Sequence, residues 1–198
     1  MTNQESTQAK IGLGAKPDID FLFYYPSIDE IQDVKLRKAV LDILQELWRS
    51  SSFTDINAIP TSGKIDYPNM PHTQCVVEIS LAVADAFERH HGVKTNRDHL
   101  IASSVLQDAS KMVEYEPKPE GGVEHTQIGK SYPHAFWCAH LAAKYDLPPE
   151  IINTILTHSP QAAQFPKTLE GKILYYADQL DVIAIHGDRW KKNLFVSK

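Results

Sequence analysis

An all-helical bundle is the architecture this chain of 198 residues predicts, and three observations lead there. Apolar residues recur at helical spacing in segment after segment. Residues suited to helix ends stand where that spacing begins and stops. No run alternates convincingly with the period of two that a half-buried strand would show, and no internal repeat is visible.

Residues 1–16 are polar and aperiodic, which predicts a flexible tail. Phe21 to Tyr25 form an aromatic patch closed by Pro26, read as an extended arm that packs on the domain or on a second copy. Tail and arm together occupy residues 1–26, and residues 27–198 are read as a single helical domain. Ser27 followed by Glu30 has capping-box spacing, and Leu36, Val40, Ile43, Leu44, Leu47 and Trp48 then make one helical stripe up to about Arg49. From Ser50 to Pro71 the composition is that of a long loop, a length uncommon in a compact domain unless it has a role or carries a short helix. Val76, Ile79, Val83 and Phe87 define the next helix, with Gly92 at its C-terminal cap. Asn96 caps the one after, which carries Leu100, Ile101, Val105 and Leu106 toward Asp108 and Lys111. Pro117, Pro119, Gly121 and Gly122 mark a loop. A helix from near Pro133 to Tyr145 follows, then one begun by Pro148 and Pro149 and ending near His158. The last starts near Thr168 with Ile173, Leu174, Ala177, Leu180 and Ile183 as its apolar positions.

Composition narrows the function classes. A chain of this length with 42% hydrophobic residues can bury a core without disulfides or a structural metal. A net charge of −5, with only Arg189, Lys191 and Lys192 as a local basic cluster, argues against a nucleic-acid partner; that cluster is read as a solvated tail. No segment has the roughly 18 consecutive apolar residues of a membrane helix, and the polar N-terminus has no signal-peptide character. The expected setting is the cytoplasm. Cys75 and Cys138 lack CxxC spacing, and both are read as buried structural thiols on apolar helical faces.

Several histidines and aspartates fall at helix ends or inside helices. His72 opens a helix, Asp108 lies at the end of another, His134 starts a third and His158 ends a fourth. Asp178 stands mid-helix among apolar residues, where an unpaired carboxylate is costly and needs a cation or several donors. Carboxylates and imidazoles on separate helices can converge on one or two divalent ions in a bundle core.

The order and context of these residues resemble the HD superfamily of metal-dependent hydrolases, named for an adjacent His-Asp pair on a helical bundle. His72 precedes Thr73-Gln74-Cys75-Val76-Val77-Glu78-Ile79 as that family's first histidine leads its helix. Val105-Leu106-Gln107-Asp108-Ala109-Ser110-Lys111 looks like the His-Asp segment with Gln107 in place of His. His134 with its Ala-rich helix, Leu147-Pro148-Pro149-Glu150, Ile155-Leu156-Thr157-His158-Ser159 and Ala177-Asp178 complete the series, from about Asn69 to Asp181.

The resemblance implies an HD-like bundle in which His72, Asp108, Asp178 and residue 107 hold one metal, and Asp108, His134 and His158 a second. The ion would be Mn, Mg, Fe or Zn, and Asp108 would bridge. It implies hydrolysis of a small phosphorylated molecule, nucleotides included. Lys111, one turn past Asp108, is read as placing its ammonium on an anionic substrate group, the alternative being a solvated helix end. His125 and Lys130 are candidate substrate ligands, and Tyr67 a further residue near the site. His90, His91, His99 and His186 are read as surface or helix-end positions, His140 as nearly opposite His134 in helical phase and so not readily sharing a metal with it, and Glu114 and Tyr115 as helix-end packing.

Gln107 departs from the pattern, since an amide oxygen is a weak, hard donor beside imidazole. The first site could then hold a harder ion, the second could act alone, or the metal could be gone. Two rival functions stay open on the same scaffold: an oxygenase or a lyase or hydratase acting on a small molecule, and a non-catalytic binding domain. The aromatic arm would suit a homodimer contact in any of them.

Overall fold

The computed structural model describes residues 16–186. The tail ahead of Lys16, and Arg189, Lys191 and Lys192, lie outside the described residues. The architecture is all-helical: α1 (Phe21–Tyr24), α2 (Val34–Ser50), α3 (Asn69–His91), α4 (Arg97–Leu106), α5 (Lys111–Glu114), α6 (Gln127–Ser131), α7 (Phe136–Lys144), α8 (Pro149–Thr157) and α9 (Leu169–His186). Two small antiparallel hairpins interrupt them, β1 (Pro60–Ser62) with β2 (Ile65–Pro68), and β3 (Tyr115–Pro117) with β4 (Val123–His125). The first hairpin occupies the long loop before α3.

Each helix follows from its sequence, with instructive departures. The α2 stripe is buried as its spacing predicts. Its cap, however, is Asp33, whose carboxylate accepts from the backbone N–H of Lys35 and Leu36; Ser27 and Glu30 lie in a 3-10 turn from Pro26 to Glu30 instead. The aromatic arm is a helical turn rather than an extended segment, and it packs on the domain. Asp20 caps it, and Phe21 and Tyr25 turn inward. The chain is pinned ahead of it. The Lys16 ammonium donates to the Trp48 and Ser51 carbonyls at the end of α2 and sits 3.1 Å from the centre of the Trp48 ring. Asn96 caps α4, and Gly92, at φ 66°, closes α3.

The main core lies where α2 packs on α4, α5 and α7. Around it, α3 lies against α4 and α9, and α8 bridges α4, α7 and α9. Cys138 is buried in this core with its thiol on the Leu106 carbonyl, but Cys75 is only half-buried. On α9 the apolar reading holds for Ile173, Leu174 and Ala177, while Leu180 and Ile183 face outward. Asp178 and Asp181 turn inward in their place. The polarity of that face of the helix is set by what it meets, the buried imidazole of His72.

Candidate metal centre

The site is built around Asp108. α4 ends at Leu106, and a tight turn carries the chain to α5. Within it the backbone N–H of Lys111 donates to the Asp108 carbonyl, which brings the Lys111 ammonium back onto the Asp108 carboxylate at 2.6 Å. Asp108 is 1% exposed. Its two oxygens face different neighbours. Oδ2 meets Lys111 Nζ and, at 3.2 Å, His72 Nε2. Oδ1 meets His134 Nε2 at 2.9 Å and His158 Nε2 at 3.6 Å.

Every imidazole here is held from behind. His72 Nδ1–H donates to Asp181 at 2.6 Å, His134 Nδ1–H to Glu114 at 3.0 Å, and His158 Nδ1–H to the Ile155 carbonyl at 2.7 Å. Such an acceptor fixes the tautomer and leaves Nε2 as the free donor atom, the arrangement metal-ligating histidines share. Glu114 is itself anchored, accepting from the Ser110 hydroxyl at 2.6 Å and from the Ala135 N–H. Ala135 adopts a left-handed conformation at φ 65°, so α7 begins at Phe136 and His134 stands in the turn before it rather than opening the helix.

Electrostatics follow from this crowding. Burial opposes a charged His72 ring, but Asp108, Asp178 and Asp181 outweigh it and push its pKa up to about 11. Burial likewise opposes charge on His134, and Asp108 and Glu114 raise it to about 9. Burial would lift the Asp108 carboxyl; Lys111, His134, His158 and His72 hold it well below the usual range. With Nδ1–H committed behind it, each Nε2 lone pair faces a carboxylate oxygen, a repulsive meeting unless a cation lies between. A proton can serve, and so can a metal ion. One donor atom each from Asp108, His134 and His158 falls within 4.8 Å of the others, a set that could hold a divalent cation.

The residues singled out in the sequence separate into three groups. His72, Gln107, Asp108, His134, His158 and Asp178 come together, with Asp178 Oδ1 3.2 Å from His72 Nε2 and the Gln107 amide nitrogen 3.5 Å from the same atom. Lys111 and His125 line a cavity of about 410 Å³ above them, His125 stacked on Tyr115 with ring centres 4.5 Å apart. Lys130 does not join them: it is exposed and does not line that cavity. Tyr67 lines a different hollow beside β1 and β2.

Glu114, which the sequence suggests as helix-end packing, and Asp181, which no motif singles out, position two of the three imidazoles. Asp181 had a signal, standing one turn beyond Asp178 on the same helix face. Gly129 is a further unheralded residue. A side chain there would overlap the Glu114 carbonyl, a Cβ falling 2.2 Å from its oxygen, so glycine lets α6 close the cavity wall against α5.

No family model matches the chain, and no solved structure matches it. Among curated proteins it is similar to the dihydroneopterin 2',3'-cyclic phosphate phosphodiesterase of Methanocaldococcus jannaschii, 28% identical over 163 residues. The match takes in 77% of this chain, which spans 65% of the length of that relative.

Proposed function

We propose that this chain is a metal-dependent phosphodiesterase acting on a small phosphorylated molecule, with a cyclic phosphate ester as the substrate class. The observation that carries this reading is the convergence of Asp108, His134 and His158 on one point at the floor of an open cavity. The similarity to a phosphodiesterase of a cyclic phosphate supplies the reaction class. It also favours hydrolysis over the oxygenase and lyase alternatives. Three imidazoles each fixed from behind are more than a non-catalytic fold requires, since every such buried pairing costs desolvation.

Asp108, His134 and His158 would hold one ion, and His72, Gln107 and Asp178 form the other half of the centre. A bound divalent cation would polarise a phosphoryl oxygen and lower the pKa of water beside it. The protein's own groups do the rest. The Lys111 ammonium, at the cavity floor, neutralises a non-bridging phosphate oxygen and can leave Asp108 Oδ2 to do so. Opening a cyclic ester forms one P–O bond to water, which gives up a proton to solvent, and breaks one P–O bond to an ester oxygen of the ring. His125, which lines the same cavity, would give the departing oxygen its proton. Glu114 holds the His134 ring toward Asp108 throughout.

The test pairs metal analysis with product detection. Untagged protein should carry one or two equivalents of a divalent metal and open a 2',3'-cyclic phosphate to the monoester, followed by ³¹P NMR. Metal absent after soaking, with no turnover on any cyclic phosphate, would exclude the reading.

A further inference from the structure

We infer that the two halves of this centre differ in hardness, and that Gln107 makes the His72 half an oxygen-rich site for a hard divalent cation of the Mn²⁺ or Mg²⁺ class. The inference rests on the metallohydrolase reading and specifies which ion goes where.

Gln107 is 0% exposed, and its side-chain oxygen, like those of Asn69, Ser80, Ser103 and Ser104, has no hydrogen-bond partner among the described residues; of these, Gln107 alone stands beside His72 Nε2. A buried carbonyl oxygen left unpaired is rare and calls for a donor or a cation. A half-turn of the carboxamide exchanges its oxygen and nitrogen without moving the rest of the residue. That turn sets the oxygen 3.5 Å from His72 Nε2, where the nitrogen now lies. Around the same Nε2 stand Asp108 Oδ2 and Asp178 Oδ1, each at 3.2 Å. All three distances run from His72 Nε2, and at 3.2–3.5 Å they are somewhat longer than the roughly 3 Å between neighbouring donors of a cation with bonds of 2.0–2.1 Å.

The donor sets are therefore unequal. The His72 half offers three oxygens and one nitrogen, from Gln107, Asp108, Asp178 and His72. The other half offers two nitrogens and one oxygen, from His134, His158 and Asp108. Oxygen donors suit Mg²⁺ and Mn²⁺, and imidazole suits Zn²⁺ and Fe²⁺. A histidine at position 107 would have made the first half richer in nitrogen and the two positions more nearly alike. The substitution turns the centre toward mixed occupancy, with Asp108 shared through its two oxygens.

The test reads metal binding rather than turnover. Chelator-stripped full-length protein is loaded with Mn²⁺ and Zn²⁺ together and examined by native mass spectrometry and Mn²⁺ electron paramagnetic resonance. The expected wild-type species holds one ion of each. Gln107→Leu should lose Mn²⁺ and keep Zn²⁺. Gln107→Glu, which keeps an oxygen donor, should retain Mn²⁺ and guards against misfolding in the leucine variant. Gln107→His should shift the first position toward Zn²⁺ by at least about tenfold, and His134→Ala should lose Zn²⁺ while keeping Mn²⁺. Unchanged Mn²⁺ binding in a folded Gln107→Leu protein, or one ion only in the wild type, overturns the inference while leaving a metallohydrolase. Failure to bind either ion overturns both.

Discussion

The α2 face of the core and most of the Asp108 cluster are similarly buried and opposite in character, although the His134 side chain stays 27% exposed to the cavity. Ile43, Leu44 and Leu47 are each 0% exposed, and so is Gln107; His72 is 1% exposed and His158 2%. In the first region, excluding water is itself the stabilising term, worth about 1.5–3 kcal/mol for each large apolar side chain. In the second, excluding water costs free energy that only a close countercharge can offset. Burial alone therefore says nothing about role. What distinguishes the regions is whether the buried atoms need a partner: Ile43, Leu44 and Leu47 have no polar side-chain atom to pair, whereas Gln107 carries an oxygen that lacks one among the described residues.

Breaking each region should separate the two. Asp108→Ala removes the group both halves share, and should abolish metal binding and lower activity on the order of 10³-fold, several kcal/mol of lost transition-state stabilisation, read by metal analysis beside steady-state rates. Retained metal in that variant would mean Asp108 is not the shared ligand. Ile43→Ala should do the reverse, costing about 3 kcal/mol and roughly 10 °C in Tm by calorimetry, with metal stoichiometry untouched. Gly129→Ala strikes the boundary between them. Its methyl would press on the Glu114 backbone, so about 2 kcal/mol of stability should be lost, together with some disorder in the wall beside His134, visible as weakened substrate binding.

Asp181→Asn and Glu114→Gln sharpen the comparison within the polar region. Each weakens the grip on one imidazole from behind, and each should reduce metal affinity about 10–100-fold. Titration calorimetry should place the Asp181 effect on the His72 half and the Glu114 effect on the His134 half. The smallest expected effect lies on the surface. Glu46 accepts from the Lys144 ammonium and the Tyr145 hydroxyl, and Lys144 in particular draws its carboxyl below the ordinary value. A lowered folded-state pKa contributes stability that is fully present above the unfolded value and lost as pH falls through the folded one. In Lys144→Met that increment, a few tenths of a kcal/mol at a partly exposed pair, should be missing near neutral pH. The variant and the wild type should converge in urea midpoint below about pH 4.

Much of the fold was legible because it rests on local rules. The α2 stripe, the Asn96 cap and the Gly92 terminus each depend on residues a few positions apart. Ser27 and Glu30 misled because a capping box is a spacing, and Asp33 stood closer to the first helical turn with a carboxylate able to take two backbone N–H groups. Leu180 and Ile183 misled because periodicity cannot tell which side of α9 meets a charged partner. The gathering of His72, Asp108, His134, His158 and Asp178 could be anticipated from the resemblance of their order and context to the HD superfamily. The supports behind the rings could not, since Glu114 and Asp181 act through contacts with His134 and His72 that lie 20 and 109 positions away.

That last separation governs how the molecule must assemble. Closing a loop of such length carries an entropic cost that no local contact repays beforehand, so the His72–Asp181 pair can form only after α9 has docked on α3. A chain still emerging, or cut before α9, would lack both Asp178 and Asp181 and hold the His72 half open. An ion bound there would recognise the completed fold and not its precursors, and by mass action it would raise the free energy of unfolding with its concentration. Metal supply would thus set how long the folded chain lasts as well as how fast it works.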